Sequence, residues 1–404
     1  MTELGTIGVE SAPPQHVPRR GRAAVGMLAL GTFTAVTSEM LPVGLLTPMG
    51  TALHISEGLA GLALTITGLL AVTAPLLMSM LGRVDRRRLL PVLMAVVAAG
   101  NLLCALAPNF AVLVVGRVLV GAGMGGVWAI SGSLAVRLVP ARAVGPATSV
   151  IFSGIAIASV LGVPAGTYLG SVAGWRSAFA AAAGLAVVVA VALAAILPPL
   201  PPERGVSIAE LPRLLSVPAL RTAMIVVALL VGGHFAAYTY IRPVLEEQSG
   251  ASASTVSALL LAYGIAGVAG TFGLGMIASR ALRRAVLVIC AGLAASVAVL
   301  ALAGGSPIAA VLLLVVWGVS YGGVSVSTQT WTLAAAPGAR EAASAILVAV
   351  FNAAIALGAL LGGRAVDGFG PTAALWLGTA LVAVAAVAAL VGTAPRNGSP
   401  QEVK

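Results

Sequence analysis

Apolar segments long enough to cross a lipid bilayer recur along the whole of this 404-residue chain. A helix needs about 20 predominantly apolar residues to span the hydrocarbon core. Only 8% of the residues are charged, whereas a soluble domain carries about 25%. The pattern therefore predicts a polytopic membrane protein and excludes a soluble domain of this size.

Hydropathy predicts twelve transmembrane helices, so the expected fold class is an all-α membrane protein. The longest connection, residues 198–219, is rich in proline and charge and is predicted to be a linker between two six-helix bundles, 23–197 and 220–394. Polar tails at 1–22 and 395–404 flank the bundles. The predicted spans are 23–47, 57–81, 89–106, 110–138, 144–171, 175–197, 220–245, 255–279, 285–303, 308–336, 341–362 and 372–393.

The basic residues predict the orientation of these helices. Of the 22 basic residues, all but Arg117, Arg176, Arg242 and Arg364 fall on the side of the two chain ends. Because basic loops stay in the cytoplasm, both termini are predicted to be cytoplasmic and the protein to lie in the plasma membrane, the cell inner membrane. Basic residues scattered over interhelical loops are not a nucleic-acid patch, so no nucleic-acid partner is expected.

An internal repeat relates the two bundles. The segment "GGVWAISGSLAVRLVPAR" begins at Gly125 and "GGVSVSTQTWTLAAAPGAR" begins at Gly322, an offset of 197 residues. The same offset places Pro140 on Pro337 and aligns two arginine pairs in separate loops. Parallel six-helix repeats of this kind build the major-facilitator transporters.

The ionisable residues Glu39, Arg117 and His234 lie well within predicted spans rather than at their ends. A charge at the bilayer centre costs about 2.5–3.5 kcal/mol or more, so each is a candidate functional residue. Glu39 lies about 12 Å, and Arg117 about 10 Å, below the outer ends of their helices, and hence at one level. We expect Glu39 to exchange the coupling proton and Arg117 to tune its proton affinity, or else the two to form a static structural ion pair. His234 either lines a cavity or is a packing residue.

Two further segments are candidate gating elements. Asp85 stands among arginines, including Arg86 and Arg87, and could pair with them and with a neighbouring helix end as a cytoplasmic latch. The alternative is a basic loop that only sets the membrane orientation of the helices, which accounts for the arginines but not for Asp85. In "LGVPAGTYLG", Gly162, Pro164 and Gly166 predict a kink and a thin helix face, which suits a moving helix or ordinary tight packing equally.

Several chemistries are excluded or unsupported. The only lysine is Lys404, so this chain has no Walker A lysine and cannot itself use ATP in that way. The sequence has no His/Cys cluster with the spacing of a metal site and no set of residues typical of nucleophilic catalysis. Cys104 and Cys290 are predicted to be packing residues. We therefore expect no enzyme activity, no metal and no cofactor, with the proton as the coupling ion.

Motifs in the fourth, fifth and sixth spans resemble the drug:H+ antiporter group of the major facilitator superfamily. They are Arg117-x-x-x-Gly-x-Gly, "GVPAGT" and "GWRSAF". The loop after the second span departs from the group's pattern, because Leu81 rather than glycine stands four residues before Asp85. Within the group, "EMLPVGLLTPM", "ISEGLAG", "SVIF" and "YTYIRPV" look like the purine ribonucleoside efflux permeases.

The resemblance covers residues 23–394 and implies proton-driven export of purine nucleosides or their analogues by a protein that functions as a monomer. Sugar or arabinose exporters and chloramphenicol exporters share parts of the pattern. A non-coupled sensor or pore, and an uptake symporter, remain as alternatives. The substrate cavity is expected at the midplane between the halves, lined by His234, Tyr238, Trp317, Tyr321 and Asn352. These residues offer stacking and neutral hydrogen bonds that fit a nucleobase, whereas the alternative for each aromatic is helix packing.

Overall fold

The computed structural model describes residues 19–73, 84–140, 143–201 and 211–395. In these ranges eleven helices are long and apolar enough to cross a membrane, and one shorter apolar helix accompanies them. Every predicted span coincides with a helix, which confirms the predicted fold class. The described helices are α1 (Arg19–Leu53), α2 (Glu57–Val72), α3 (Arg86–Leu106), α4 (Phe110–Leu138), α5 (Val144–Ala173), α6 (Trp175–Ile196), α7 (Pro218–Tyr238), α8 (Ala253–Arg280), α9 (Leu282–Ala303), α10 (Pro307–Ala335), α11 (Arg340–Phe369) and α12 (Pro371–Val391).

Some predicted features lie outside the described residues. These are most of the N-terminal tail, the part of the second span beyond Thr73, Arg142, the middle of the linker and nearly all of the C-terminal tail. Two short helices, Leu211–Leu214 in the linker and Ile241–Ser249 after α7, join the long ones. The helix α1 begins at Arg19, four residues before the predicted boundary.

Helices are the form that an apolar chain takes in a bilayer, because every backbone group must be paired without water. Their ends need other partners, and short polar side chains supply them. Ser56 accepts a hydrogen bond from the backbone of Leu59 at the start of α2, and Asn109 accepts one from Val112 at the start of α4. These caps lie where the chain leaves its apolar segments, so the polar residues between spans position the helix ends.

The two halves repeat the same close helix contact. A Cβ added at Gly121 of α4 would lie 2.6 Å from the Thr67 carbonyl oxygen of α2. At the equivalent place in the second half, a Cβ at Gly318 of α10 would lie 2.3 Å from the Tyr263 carbonyl oxygen of α8. Glycine is required at both positions because the backbones themselves touch. The 197-residue repeat therefore has a counterpart in the packing.

The halves meet mainly at one end of the bundle. We call the face that carries Arg19 and Asp85 the proximal face and the opposite one the distal face. The helix α2 packs along α11 from the distal face to mid-depth. Closer to the distal end, the second part of α5 packs on α8. A buried apolar cluster drawn from both halves lies at the distal end, consisting of Leu46, Ala60, Tyr240, Val366 and Ala374.

We predict that Gly318→Ala destabilises the fold, because the new methyl group meets a backbone oxygen that cannot move alone. The expected loss is about 1–3 kcal/mol, the usual cost of overpacking. Gly273→Ala is the matched control, since Gly273 also lies in a long helix but has open space where the Cβ would be. Thermal or SDS-induced unfolding of the purified protein measures both, and equal stability of the two variants would contradict the repeated contact.

Candidate functional site

Arg117 lies in α4 with its guanidinium completely buried. The group donates to three backbone carbonyls: Nε to Ala63 at 2.8 Å, Nη1 to Ser38 at 2.7 Å and Nη2 to Glu39 at 2.8 Å. The side chain therefore ties α4 to α1 and α2. Such a charge can be buried because its fork of N–H groups finds partners in fixed directions.

The sequence of α1 explains why a carbonyl there is free to accept. Pro42 lies inside the helix and has no N–H, so it cannot bond to the carbonyl of Ser38 four residues before it. Arg117 supplies the missing donor from another helix. In a bilayer an unpaired carbonyl would be costly, so a proline in α1 and an arginine in α4 are complementary.

Glu39 lies on the same turn of α1, and only 3% of its surface is exposed. Its Oε1 atom is buried without a hydrogen-bond partner in the described part of the chain. Among the described residues Glu39 and Arg117 form no ion pair, because the guanidinium binds the backbone carbonyl of Glu39 rather than its carboxylate. The structure thus brings the two predicted residues together in an arrangement that is not a static ion pair.

A polar network extends from this site into α3. Asn101 Nδ2 donates to Ser38 Oγ at 2.9 Å, and Ser38 Oγ donates to the Thr34 carbonyl at 2.7 Å. The sequence analysis did not single out Ser38 or Asn101. The signal that could have found Asn101 is an amide inside a long apolar span.

Aromatic rings cluster in the second half, on the opposite side of the interface. The His234 ring is stacked with Tyr321 at a centroid distance of 3.5 Å and with Tyr238 at 5.0 Å. Tyr263 of α8 stacks on Tyr238 at 4.8 Å. Tyr238 and Tyr263 belong to the same buried cluster as Val36 and Met40 of α1, so the rings lie at the interface between the two halves.

Trp317 lies edge-on to this stack and donates from Nε1 to His234 Nδ1 at 2.9 Å. The other ring nitrogen, Nε2, is buried and has no partner within the described residues. Four predicted cavity residues (His234, Tyr238, Trp317 and Tyr321) are therefore brought together. Tyr263 and Phe235 also belong to the cluster and were not predicted; Phe235 directly follows His234 and Tyr263 is an isolated aromatic in an apolar helix.

Asn352 is placed apart from the rings. Its Nδ2 donates to the Val348 carbonyl of its own helix at 2.9 Å. Its backbone oxygen lies against Gly68 of α2, where an added Cβ would be 3.2 Å away. The residue thus lies at the interface between the halves, and its role in a cavity stays a prediction.

The predicted kink in α5 is a π-helical turn, Ala158–Gly162, just before Pro164. A wider turn absorbs the backbone bond that proline cannot make. On one face, added Cβ atoms at Gly162 and Gly166 would lie 2.2 Å from Thr37 Oγ1 and Leu41 Cδ2 of α1. On another, Ser257 of α8 donates to the Pro164 carbonyl at 2.8 Å. The helix therefore packs tightly within its own half and also contacts the other half.

Asp85 caps α3 on the proximal face. Its Oδ1 accepts from the backbone of Arg87 at 2.8 Å and of Leu200 at 3.0 Å, and the Arg86 backbone donates to the Leu200 carbonyl at 3.0 Å. The hydrogen bond from the Arg87 N–H is the main cause that lowers the pKa of Asp85, and the bond from Leu200 acts in the same direction. These bonds therefore persist at neutral pH and are lost as the pH falls through that lowered pKa. They tie the start of α3 to Leu200, at the beginning of the linker after α6, and a role as a latch between conformations stays a prediction.

On the distal face, polar groups join the two halves. Asp367 of α11 accepts from Ser56 Oγ at 2.9 Å and from the Gly58 backbone at 3.0 Å, at the start of α2. Arg242 donates to the Gly44 carbonyl of α1 at 2.5 Å and to Glu246 at 2.8 Å. We call these contacts, together with the apolar cluster beneath them, the distal seal. An acid at a helix N-terminus suits both the free N–H groups and the helix dipole.

Known proteins share this architecture. The sequence model of the Major Facilitator Superfamily matches residues 28–341 and 224–404. The chain belongs to this superfamily. It is 37% identical over 388 residues to the purine ribonucleoside efflux pumps NepI of Salmonella paratyphi A and Salmonella typhimurium, covering 94% of this chain and 97% of each relative. It is thus a multi-pass membrane transporter of small molecules and not an enzyme.

Solved structures of the superfamily agree on the fold. A bacterial homologue of the human lysosomal transporter Spinster, in an inward-facing and unoccupied conformation, matches with a TM-score of 0.71 at 16% identity, covering 93% of this chain and 96% of that one. A variant of the nucleoside transporter NupG matches with a TM-score of 0.73 at 13% identity, covering 92% and 99%.

We predict that Arg117→Lys destabilises this transporter by about 3 kcal/mol, the scale of one or two charge-assisted hydrogen bonds. A lysine cannot reproduce a fork directed at three carbonyls on two helices. Pro42→Ala returns an N–H to Ser38 O, so the loss should be smaller when Arg117→Lys is made in that background. SDS-induced unfolding of the four proteins tests this coupling, and simple additivity would mean that Arg117 does not compensate for the proline.

We predict that Asp367→Ala destabilises the distal seal by about 1 kcal/mol, because Ser56 Oγ and the Gly58 N–H lose their acceptor. The population that is open at the distal face should then rise roughly fivefold. The control is Glu247→Ala, which removes an exposed acid nearby. The reporter is Ala60→Cys, placed in the buried cluster and labelled by an impermeant thiol reagent in a background without Cys104 and Cys290. Equal labelling of both variants would argue against a gating role for Asp367.

Proposed function

We propose that this protein is a proton-coupled exporter of purine ribonucleosides or their analogues, working by alternating access. It lies in the plasma membrane, the cell inner membrane of a bacterium, with both termini in the cytoplasm. It acts as a monomer, without a cofactor other than the coupling proton and without a nucleic-acid partner. The substrate class comes from the two efflux pumps to which the chain is 37% identical.

The observation that carries the coupling proposal is the buried carboxyl of Glu39. A buried carboxylate whose Oε1 atom has no hydrogen-bond donor among the described residues is costly, so burial in this conformation is compatible with a bound proton. When the halves part, water reaches the carboxyl and the proton can leave. Arg117 stays on the backbone of the same turn and keeps a positive charge close to the site of exchange.

The ring cluster supports a planar, uncharged substrate. Stacked tyrosine and histidine rings present flat apolar faces, which suit a heteroaromatic base. A cation would need an acid at this site, and Glu39 lies on the turn of α1 next to Met40, which packs in the same cluster as the rings. Because Glu39 carries the coupling proton in this proposal, the substrate is left with the neutral contacts of the rings.

With the proximal face in the cytoplasm, as the basic loops predict, the distal seal closes the site from the outside. Export then requires the proximal ends to close and the distal seal to break. The helix α5 contacts α8 of the other half near this seal, and its glycine face packs on α1, which carries Glu39. A movement of α1 and α5 as one unit would couple the carboxyl to the gate.

The test uses everted membrane vesicles that are acidified inside. An exporter of purine ribonucleosides should dissipate the imposed pH gradient when inosine or adenosine is added and should accumulate the nucleoside. Gradient collapse by sugars or chloramphenicol alone would favour the alternative exporters. Substrate flux without any proton movement would favour a non-coupled pore, and flux in the opposite direction an uptake symporter.

We predict that Glu39→Gln abolishes transport driven by the pH gradient while downhill exchange of substrate persists, because the amide imitates the proton-loaded carboxyl. Glu247→Gln is the matched control, an exposed glutamate on the distal face. Both are measured in one vesicle preparation, as pH-driven accumulation beside gradient-free exchange. A Glu39→Gln protein that still accumulates substrate like the parent would place the coupling site elsewhere.

A further inference from the structure

The two nitrogens of the His234 ring have different surroundings. Nδ1 lies 2.9 Å from Nε1 of Trp317. The indole N–H can only donate, so Nδ1 must be the accepting nitrogen without a proton. In the neutral ring the proton is then on Nε2, and Trp317 determines which tautomer is present.

The Nε2 atom is buried and has no partner among the residues that the structure describes. The whole His234 side chain is only 1% exposed. Buried donors in native proteins nearly always have an acceptor, and an exception calls for a functional explanation. An N–H group is thus held, unpaired, at the interface between the halves.

The neighbouring rings define the plane in which this N–H points. The His234 ring is inclined by 12° to Tyr321 and by 19° to Tyr238, so all three are nearly parallel. An N–H lies in the plane of its ring, and an sp² acceptor prefers the hydrogen in its own plane. An acceptor atom of a flat heteroaromatic base must therefore approach the edge of the His234 ring that carries Nε2, whereas the tyrosines cover its faces.

Tyr321 is the most exposed of the tyrosines around His234. It is half-buried, whereas Tyr238 and Tyr263 are 5% and 6% exposed. It lies two residues before Gly323, where the first part of α10, Pro307–Gly322, ends. Because Tyr321 covers a face of the His234 ring, it leaves the edge that carries Nε2 to another partner.

We propose that Trp317 is a positioning residue that holds His234 in the tautomer whose Nε2–H donates to an in-plane acceptor on the transported base, a ring nitrogen or a carbonyl oxygen. The identity of the ligand rests on the proposed function, whereas the tautomer does not. His234 thereby selects molecules by the acceptor at one edge of the base, separately from the stacking that any flat ring would satisfy.

The tautomer is measured by nitrogen-15 NMR of the purified full chain with labelled histidine. The chain has three histidines, so a variant with His16→Gln and His54→Gln leaves one signal pair. We expect an unprotonated Nδ1 and a protonated Nε2 at neutral pH. Trp317→Phe should change the Nδ1 signal. Trp331→Phe should not, because Trp331, elsewhere in α10, donates to the Ala219 carbonyl of α7. A proton on Nδ1 in the parent would overturn the proposal.

The ligand contact is measured with inosine and with three analogues that each lack one of its in-plane acceptors. These are 3-deazainosine, which lacks N3, 7-deazainosine, which lacks N7, and purine riboside, which lacks O6. The parent should bind one of the three analogues about 10-fold or more weakly, because the buried N–H is then left unpaired. In His234→Phe, which keeps a ring but has no donor, that analogue and inosine should bind equally. The Trp331→Phe control should retain the discrimination of the parent.

The outcomes separate the two proposals. If the parent binds no purine ribonucleoside, the proposed function fails, and the tautomer is still decided by NMR. If all analogues bind like inosine, or if His234→Phe discriminates as the parent does, nucleoside binding stands and the donor role of His234 is overturned.

Discussion

The bonds from Arg117 to the carbonyls of Ser38 and Glu39 are the interaction on which the rest of the site depends. Hydrocarbon offers no water to a backbone group that proline leaves unpaired, so α1 can bend at Pro42 only if another helix provides a donor. The guanidinium does so from α4, and at the same time it fixes the turn that carries the Glu39 carboxyl. Arg117 is thus a support for the backbone first, and its charge acts on Glu39 from a position that the backbone determines.

Each half contributes a different part of the chemistry. The first half carries the carboxyl and the polar network of Ser38 and Asn101, whereas the second carries the rings around His234. Within each half, glycines such as Gly121 and Gly318 bring the backbones of neighbouring helices into direct contact. The interface between the halves is sealed on the distal face partly by polar contacts such as that of Asp367. Tightly packed halves joined by contacts that can exchange with water suit the proposed alternating access.

The fold and part of the site could be predicted because their causes are local in the sequence. Apolar length predicts a span, and an ionisable residue within a span is rare enough to identify Glu39, Arg117 and His234. Depth within the span and ring chemistry identified Tyr238, Trp317 and Tyr321. Tyr263 was missed because one tyrosine in an apolar helix is indistinguishable from packing until α8 is placed beside α7. Asn352 was predicted to line the cavity by depth as well, and its role there stays a prediction.

The sequence by itself determined that the chain crosses a membrane and that it consists of two related halves. It also determined which ionisable side chains are costly enough within a span to indicate a functional role. The first and the last follow from the free energy of transferring groups into hydrocarbon, which depends on the residue and not on its neighbours, and the second follows from segments repeated at one offset. Only the tertiary structure decided which groups form hydrogen bonds with each other: Arg117 binds carbonyls and not the Glu39 carboxylate, Asp85 accepts from Leu200 just after α6, and Trp317 donates to Nδ1 of His234. Hydrogen bonds depend on ångström distances between atoms far apart in the chain, and only the packing of the helices sets those distances.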